Sequence, residues 1–110
     1  MKKDWVITIL VIVFVLLISF LILNKPTQKT EKEIIQCIGK RATLYAQERC
    51  PHCKVQEQLF GENFKYLKVV WCDKDWIKCQ NIKGTPAWEI NGKFILGVQS
   101  IEKLQELTGC

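Results

Sequence analysis

The sequence contains no arginine-rich or lysine-rich tract, no internal repeat and no low-complexity stretch. Its net charge of +5 is mild and dispersed, which argues against nucleic acid as a partner. At 110 residues it also lacks the length for a large multidomain enzyme, and one small domain is what fits. It has only one long hydrophobic run. Beyond that run there is no small-x-small cleavage site, since the residues read Leu21-Ile22-Leu23-Asn24-Lys25-Pro26. Met1-Lys2-Lys3 would suit the start of a secretory signal. The apolar core, however, exceeds the usual length of about 7–15 residues, so the reading is an uncleaved anchor.

That run, Trp5 to Leu23, is broken only by Thr8 and Ser19. As a helix it would span roughly 28 Å, close to the ~30 Å hydrocarbon core of a bilayer. The overall hydrophobic content of 48% therefore averages two chemistries, a membrane-grade segment and a modest soluble domain. The expected division is a flank at 1–4, a transmembrane anchor at 5–23, a polar tether at 24–33 containing Pro26, and a domain at 34–110. Lys2 and Lys3 on one side are balanced by Lys25, Lys29 and Lys32 on the other, so the positive-inside count does not orient the helix. The six cysteines do bear on orientation. Such a density suits an oxidising compartment, which places the C-terminal domain on the extracytoplasmic side.

Within the domain, Glu33 to Ile38 reads as a short helix stopped by Gly39. Arg41 to Gln47 reads as a first buried strand. Pro51 opens a helix at a position where its missing N–H costs nothing. That helix turns Cys53, Gln56, Leu59 and Phe60 to one side and ends near Gly61. Phe64 to Trp71 reads as a second strand, with Val69-Val70-Trp71 buried on both faces. Asp73 to Ile82 is a mixed, polar stretch with a short helix over a loop. Ala87 to Ile90, the Asn91-Gly92 turn and Lys93 to Leu96 give the clearest hairpin signal. Ser100 caps a last helix with Ile101, Leu104 and Leu107 in one stripe. The expected fold class is α/β, in the order β-α-β-(α)-β-β-α, with a parallel first pair and an antiparallel hairpin.

Cys50-Pro51-His52-Cys53, opening a helix after a buried strand, is the strongest chemical signal. Two intervening residues let both sulfurs meet on the first helical turn, so a disulfide can form and reopen. Cys50 sits at the positive helix end, where a thiolate is stabilised and can act as nucleophile. Cys53, one turn inward, would resolve a mixed disulfide. His52 is placed to donate to the Cys50 thiolate, although it can also be read as an exposed polar residue. Arg49 and Lys54 are offset by Glu48 and receive no role. As a zinc site, Cys50-x2-Cys53-x18-Cys72-x6-Cys79 is too widely spaced in its second half, so no metal is expected, and a metal-binding module with the cysteines as ligands is the lesser alternative. No organic cofactor is called for either.

Strand, Cys50-Pro51-His52-Cys53, helix, then Gly84-Thr85-Pro86 opening a hairpin resembles the thioredoxin-like superfamily from about Arg41 to Gly109. Leu44-Tyr45-Ala46, Gln58-Leu59-Phe60-Gly61, the run Thr85 to Lys93 and Gly97-Val98-Gln99-Ser100 narrow the likeness. They resemble the thioredoxin-like domain fused to bacterial vitamin K epoxide reductase homologues. The resemblance implies a cis Pro86 facing the Cys50–Cys53 pair and backbone hydrogen bonds from Thr85 to a bound peptide. It implies client proteins with cysteine thiols, and a separate quinone-linked membrane oxidase of the vitamin K epoxide reductase type as partner. One departure matters: Leu44 stands where many reducing thioredoxins carry a buried acid, which tilts the reading toward a dithiol oxidase over a reductase or isomerase.

Four cysteines remain. The related fused domains carry a pair where Cys72 and Cys79 stand, which implies a structural disulfide, with a redox shuttle as the alternative. Cys37 and Cys110 are left over, to be bridged to each other, free, or linked between chains. Trp71, Trp76 and Trp88 are read as packing residues, Trp76 alternatively as a partner contact.

Overall fold

The hydrophobic run forms a single helix, α1 (Lys2–Leu23), in the computed structural model, which describes residues 1–25 and 29–110. None of its residues is buried against the rest of the chain. The helix is apolar all round, the pattern of a membrane span. It is long and apolar enough to cross a membrane. Its Thr8 hydroxyl donates to the Asp4 carbonyl (2.9 Å), which satisfies a polar group inside the turn. Pro26 and the middle of the expected tether lie outside the described residues.

Helix α2 (Glu31–Arg41) begins in a capping box. The Glu33 N–H donates to the Thr30 hydroxyl at 3.3 Å, and the Thr30 N–H donates to the Glu33 carboxylate at 3.4 Å. Two orphan donors are thereby satisfied. Sequence reading ends this helix before Gly39, but the structure carries it through to Arg41. The reason is tertiary. A Cβ at Gly39 would run into the Tyr66 carbonyl oxygen, so the glycine allows a close backbone approach and is no stop signal. Gly39→Ala is therefore expected to destabilise the domain by about 1–3 kcal/mol. Helix propensity alone would favour alanine by about 1 kcal/mol. A thermal melt of the variant decides between them, and a raised melting temperature would refute the close-packing account.

Strand β1 (Ala42–Ala46) follows α2 without a linker. Next come α3 (Pro51–Phe60), a 3-10 helix (Gly61–Tyr66) and β2 (Lys68–Trp71). The expected strand from Phe64 is corrected here. Phe64 and Tyr66 lie on the 3-10 turn and lean on the core from there. Phe64 and Tyr66 alternate with Lys65 as in a strand, but a pattern of three residues cannot distinguish the two conformations. Nor is β2 buried on both faces. It is an edge strand in the order β2-β1-β3-β4, and none of its residues is fully buried. A second 3-10 helix (Trp76–Cys79) precedes β3 (Ala87–Ile90), β4 (Lys93–Leu96) and α4 (Ile101–Thr108).

β1 pairs parallel with β2 and antiparallel with β3, and β3 pairs antiparallel with β4. Asn91 (φ 52°) and Gly92 (φ 76°) make the tight turn between β3 and β4. This primed geometry is the one that Asn-Gly favours. Ser100 caps α4 through the Lys103 N–H (3.1 Å). The order matches the expected α/β class.

The two sheet faces are covered very differently. Ala42, Leu44, Ala46, Trp88 and Ile90 pack against Ile35 and Ile38 of α2, Cys53 and Phe60 of α3, and Leu104 of α4. The opposite face carries Tyr45 and Ala87, and its cover is the segment with Cys72, Cys79 and Ile82. The α-helices α2, α3 and α4 lie on the first face. The second has only the short segment that carries the 3-10 helix Trp76–Cys79.

Candidate active site

Cys50 is the N-cap of α3, and Pro51 occupies the first helical position. The Cys50 sulfur accepts the Cys53 N–H at 3.1 Å. The side chain thus does for the helix start what a serine or aspartate usually does. The Cys50 and Cys53 sulfurs are paired, with Cα atoms 5.1 Å apart. Cys53 is buried and Cys50 is half-buried, so only one sulfur of the pair is open to an incoming group.

Across from the pair, the Thr85–Pro86 bond is cis and Pro86 is fully buried. The Thr85 carbonyl oxygen lies 3.5 Å from the Cys50 sulfur. The Pro86 carbonyl accepts the Gly97 N–H at 2.8 Å, which ties this corner to the end of β4. Thr85 also donates its hydroxyl to Gln47 at 3.5 Å. His52 is exposed, and its ring makes no hydrogen bond to Cys50 with the sulfurs paired. Glu48, adjacent to the motif, is engaged elsewhere, with Lys74 at 2.9 Å.

Gln56 supports the site from below and was not singled out by sequence reading beyond its place on the inner face. Its carboxamide oxygen accepts Trp88 Nε1–H (3.0 Å) and the Gln99 N–H (2.7 Å), while its amide donates to the Gln99 carbonyl (2.9 Å). A fully buried amide with all these partners locks α3 against β3 and the β4–α4 connection. Leu59, expected on the same inner side, is instead 45% exposed. Buried Gln56 and Phe60 take that side because they sit three and seven positions after Cys53, while Leu59 falls off the stripe. On the other sheet face, Tyr45 donates its hydroxyl to Glu89 at 2.6 Å. That hydrogen bond, then burial, then the Glu89 charge push the phenol up to about 12, so it stays protonated and donating.

The remaining cysteines are also paired, Cys72 with Cys79 and Cys37 with Cys110. The Cys72 N–H donates to the Ala46 carbonyl (2.8 Å), which sets that disulfide at the end of β1 leading to Cys50. Among the described residues, no three histidine, cysteine or acidic side chains converge as metal ligands would.

A parallel β-α-β unit, an antiparallel hairpin, a cysteine pair at the start of α3 and a cis-proline opposite it are now all in place. The arrangement resembles that of thioredoxin-like domains. The chain is 35% identical over 79 residues to thiol-disulfide oxidoreductase LTO1 of Arabidopsis thaliana. The match takes in 62% of this chain but only 21% of that protein, so the chain spans about a fifth of the length of its curated relative. Among solved structures it is similar to the thioredoxin-like protein BC3987 (mutant T8A), with 29% identity and a TM-score of 0.46. That likeness covers 61% of this chain and 97% of the other. It is also similar to a glutaredoxin (grx-1) from Archaeoglobus fulgidus, with 21% identity, a TM-score of 0.42 and coverage of 74% and 97%. No family model matches the sequence.

Proposed function

We propose that the chain is a membrane-anchored thiol–disulfide oxidoreductase working on client proteins, and that its favoured direction is dithiol oxidation. The observation that carries this reading is the half-buried Cys50 sulfur, paired with buried Cys53 and 3.5 Å from the Thr85 carbonyl. A client thiolate attacks Cys50, the Cys50–Cys53 bond breaks, and Cys53 leaves as a thiolate. A second client thiolate then attacks the client sulfur of the mixed disulfide, and Cys50 leaves as a thiolate. The client departs with a disulfide and the protein holds both electrons as a dithiol. His52 would steady the Cys50 thiolate, while the Thr85 backbone and cis Pro86 would present the client strand. Cys72–Cys79 and Cys37–Cys110 would serve as structural staples.

In this reading the 5–23 segment spans the membrane, the domain lies on the extracytoplasmic side, and a quinone-linked oxidase of the vitamin K epoxide reductase type removes the electrons. The direction is supported by Leu44, a buried aliphatic residue where a reducing thioredoxin would place an acid. The test is the reduction potential of the full chain in detergent micelles, equilibrated with glutathione buffers. A value well above about −270 mV is expected. A value at or below it would reverse the direction to a reductase, and the absence of an exchangeable pair would remove the redox reading.

A further inference from the structure

The loop-covered face of the sheet holds two adjoining cavities that begin beside the reactive cysteine. The first, about 230 Å³, is lined by Gln47, Thr85, the Cys72–Cys79 pair, Ile82 and Lys83. The second, about 360 Å³, shares Ile82 and Lys83 and continues over Ala87 to Phe94 and Leu96. Together they form one trough leading away from Cys50, whose sulfur touches the Thr85 carbonyl.

The trough is graded in chemistry. Its near end offers the polar groups of Gln47 and Thr85. Its middle holds Lys83, which takes part in none of the ion pairs among the described residues. No carboxylate lines either cavity. Its far end is apolar. Phe94 and Leu96 remain 46% and 53% exposed because the short loop stops before reaching them. Their placement follows from register, since Phe94 stands opposite Glu89 and Leu96 opposite Ala87, on the Tyr45 side of the sheet.

We propose that this trough binds an extended segment of the client flanking its reacting cysteine, with an acidic residue at Lys83 and an apolar side chain between Phe94 and Leu96. The inference rests on the exchange chemistry proposed above. The occupant is a polypeptide because the trough is open, elongated and graded, and one end of it adjoins the sulfur that would hold the client covalently. The cis Thr85–Pro86 step, the next residue to Ala87 and one ladder step across to Leu96 put the apolar end on the order of 10 Å from the reacting sulfur, about three to four residues of extended chain. Side chains at even spacings share a face in such a chain. The acid therefore belongs two positions from the cysteine and the apolar residue four.

The test uses the full-length Cys53→Ala variant in detergent micelles and the symmetric peptide Phe-Ala-Glu-Ala-Cys-Ala-Glu-Ala-Phe, which removes any assumption about chain direction. The peptide cysteine is supplied as its disulfide with thionitrobenzoate. The Cys50 thiolate attacks the peptide sulfur, the mixed disulfide forms and coloured thionitrobenzoate anion leaves, so the rate is read optically. Release is expected to be about fivefold faster than for peptides with both Glu changed to Lys or both Phe changed to Ser. Lys83→Glu should reverse the charge preference, and Phe94→Ser should erase the preference for Phe. Phe94 also meets the Tyr45 ring edge-on, with centroids 5.8 Å apart, so Leu96→Ser provides a second variant with less at stake for folding. Equal rates for all peptides, or preferences that survive these substitutions, would overturn the trough alone. No release from any peptide, nor from the glutathione–thionitrobenzoate disulfide, would overturn the exchange reading and the trough with it.

Discussion

Cys50→Ala is expected to reduce dithiol oxidation to the uncatalysed rate, whereas Cys53→Ala has no disulfide to pass on, and its Cys50 thiolate attacks a disulfide-bonded client, expels one client thiolate and holds the other half as a mixed disulfide. The asymmetry follows from position. Cys50 is half-buried at the N-cap of α3, beside backbone donors and at the positive end of the helix, where an incoming thiolate reaches it and where it leaves readily as a thiolate. Cys53 is 5% exposed and packed in the core, so a client reaches it only by displacing structure. Losing the Cys50 cap costs the helix about 1 kcal/mol. That is small against the roughly 5–15 kcal/mol that holds a domain folded, so lost activity reports chemistry and not unfolding. The measurement pairs a turnover assay, dithiothreitol oxidised at the expense of glutathione disulfide, with mass spectrometry of the trapped adduct. Finding the client on Cys53 of the Cys50→Ala protein, in amounts matching those on Cys50 of the Cys53→Ala protein, would reverse the assigned roles.

Much of the frame was legible because local chemistry set it. Pro51 marked the start of α3, Ser100 marked the start of α4, and Asn91-Gly92 marked the turn between β3 and β4. The errors fall where distant segments decide. Gly39 stays helical because the Tyr66 backbone passes against it, 27 positions along the chain. Phe64 and Tyr66 alternate like a strand, yet they sit on a 3-10 turn whose partner surface comes from α2. At the site, the spacing of Cys50 and Cys53 spoke for itself. The approach of Thr85 to Cys50 joins residues 35 positions apart, and only the likeness to known domains implied it. The Gln56 network had no local signature at all. A glutamine on an inner helix face looks like an exception until Trp88 Nε1–H and the Gln99 backbone arrive to meet it.

The uneven cover of the sheet links fold to function. With α2, α3 and α4 all on one face, that side forms the stable core and holds the buried sulfur of the reactive pair. The other face depends on a stapled loop, which leaves surface open right up to Thr85. In the proposed exchange, the rigid half would position the sulfur and the uncovered half would meet the client.

The second large effect expected is on stability. Replacing Cys37 and Cys110 together by alanine should lower the stability of the domain by about 4 kcal/mol, and its melting temperature by roughly 15–30 °C. The bond joins residues 73 positions apart and so encloses nearly the whole domain. Closing so long a loop removes far more freedom from the unfolded chain than closing a short one. The Cys72–Cys79 bond, with a separation of 7, should be worth about 2.5 kcal/mol on the same reasoning. The local contacts at the Cys37–Cys110 corner survive the substitution. Ile35 and Ile38 still meet Leu104, and Arg41 still donates to the Thr108 carbonyl at 2.9 Å. The folded state should therefore keep its form, with the loss falling on the unfolded side of the balance. Substituting both cysteines avoids a stray thiol that could exchange with the reactive pair. Melts of the full chain under non-reducing conditions, comparing the two double variants, give the ranking. A drop for Cys37/Cys110 smaller than that for Cys72/Cys79 would mean that native-state contacts, not loop closure, set what each disulfide contributes.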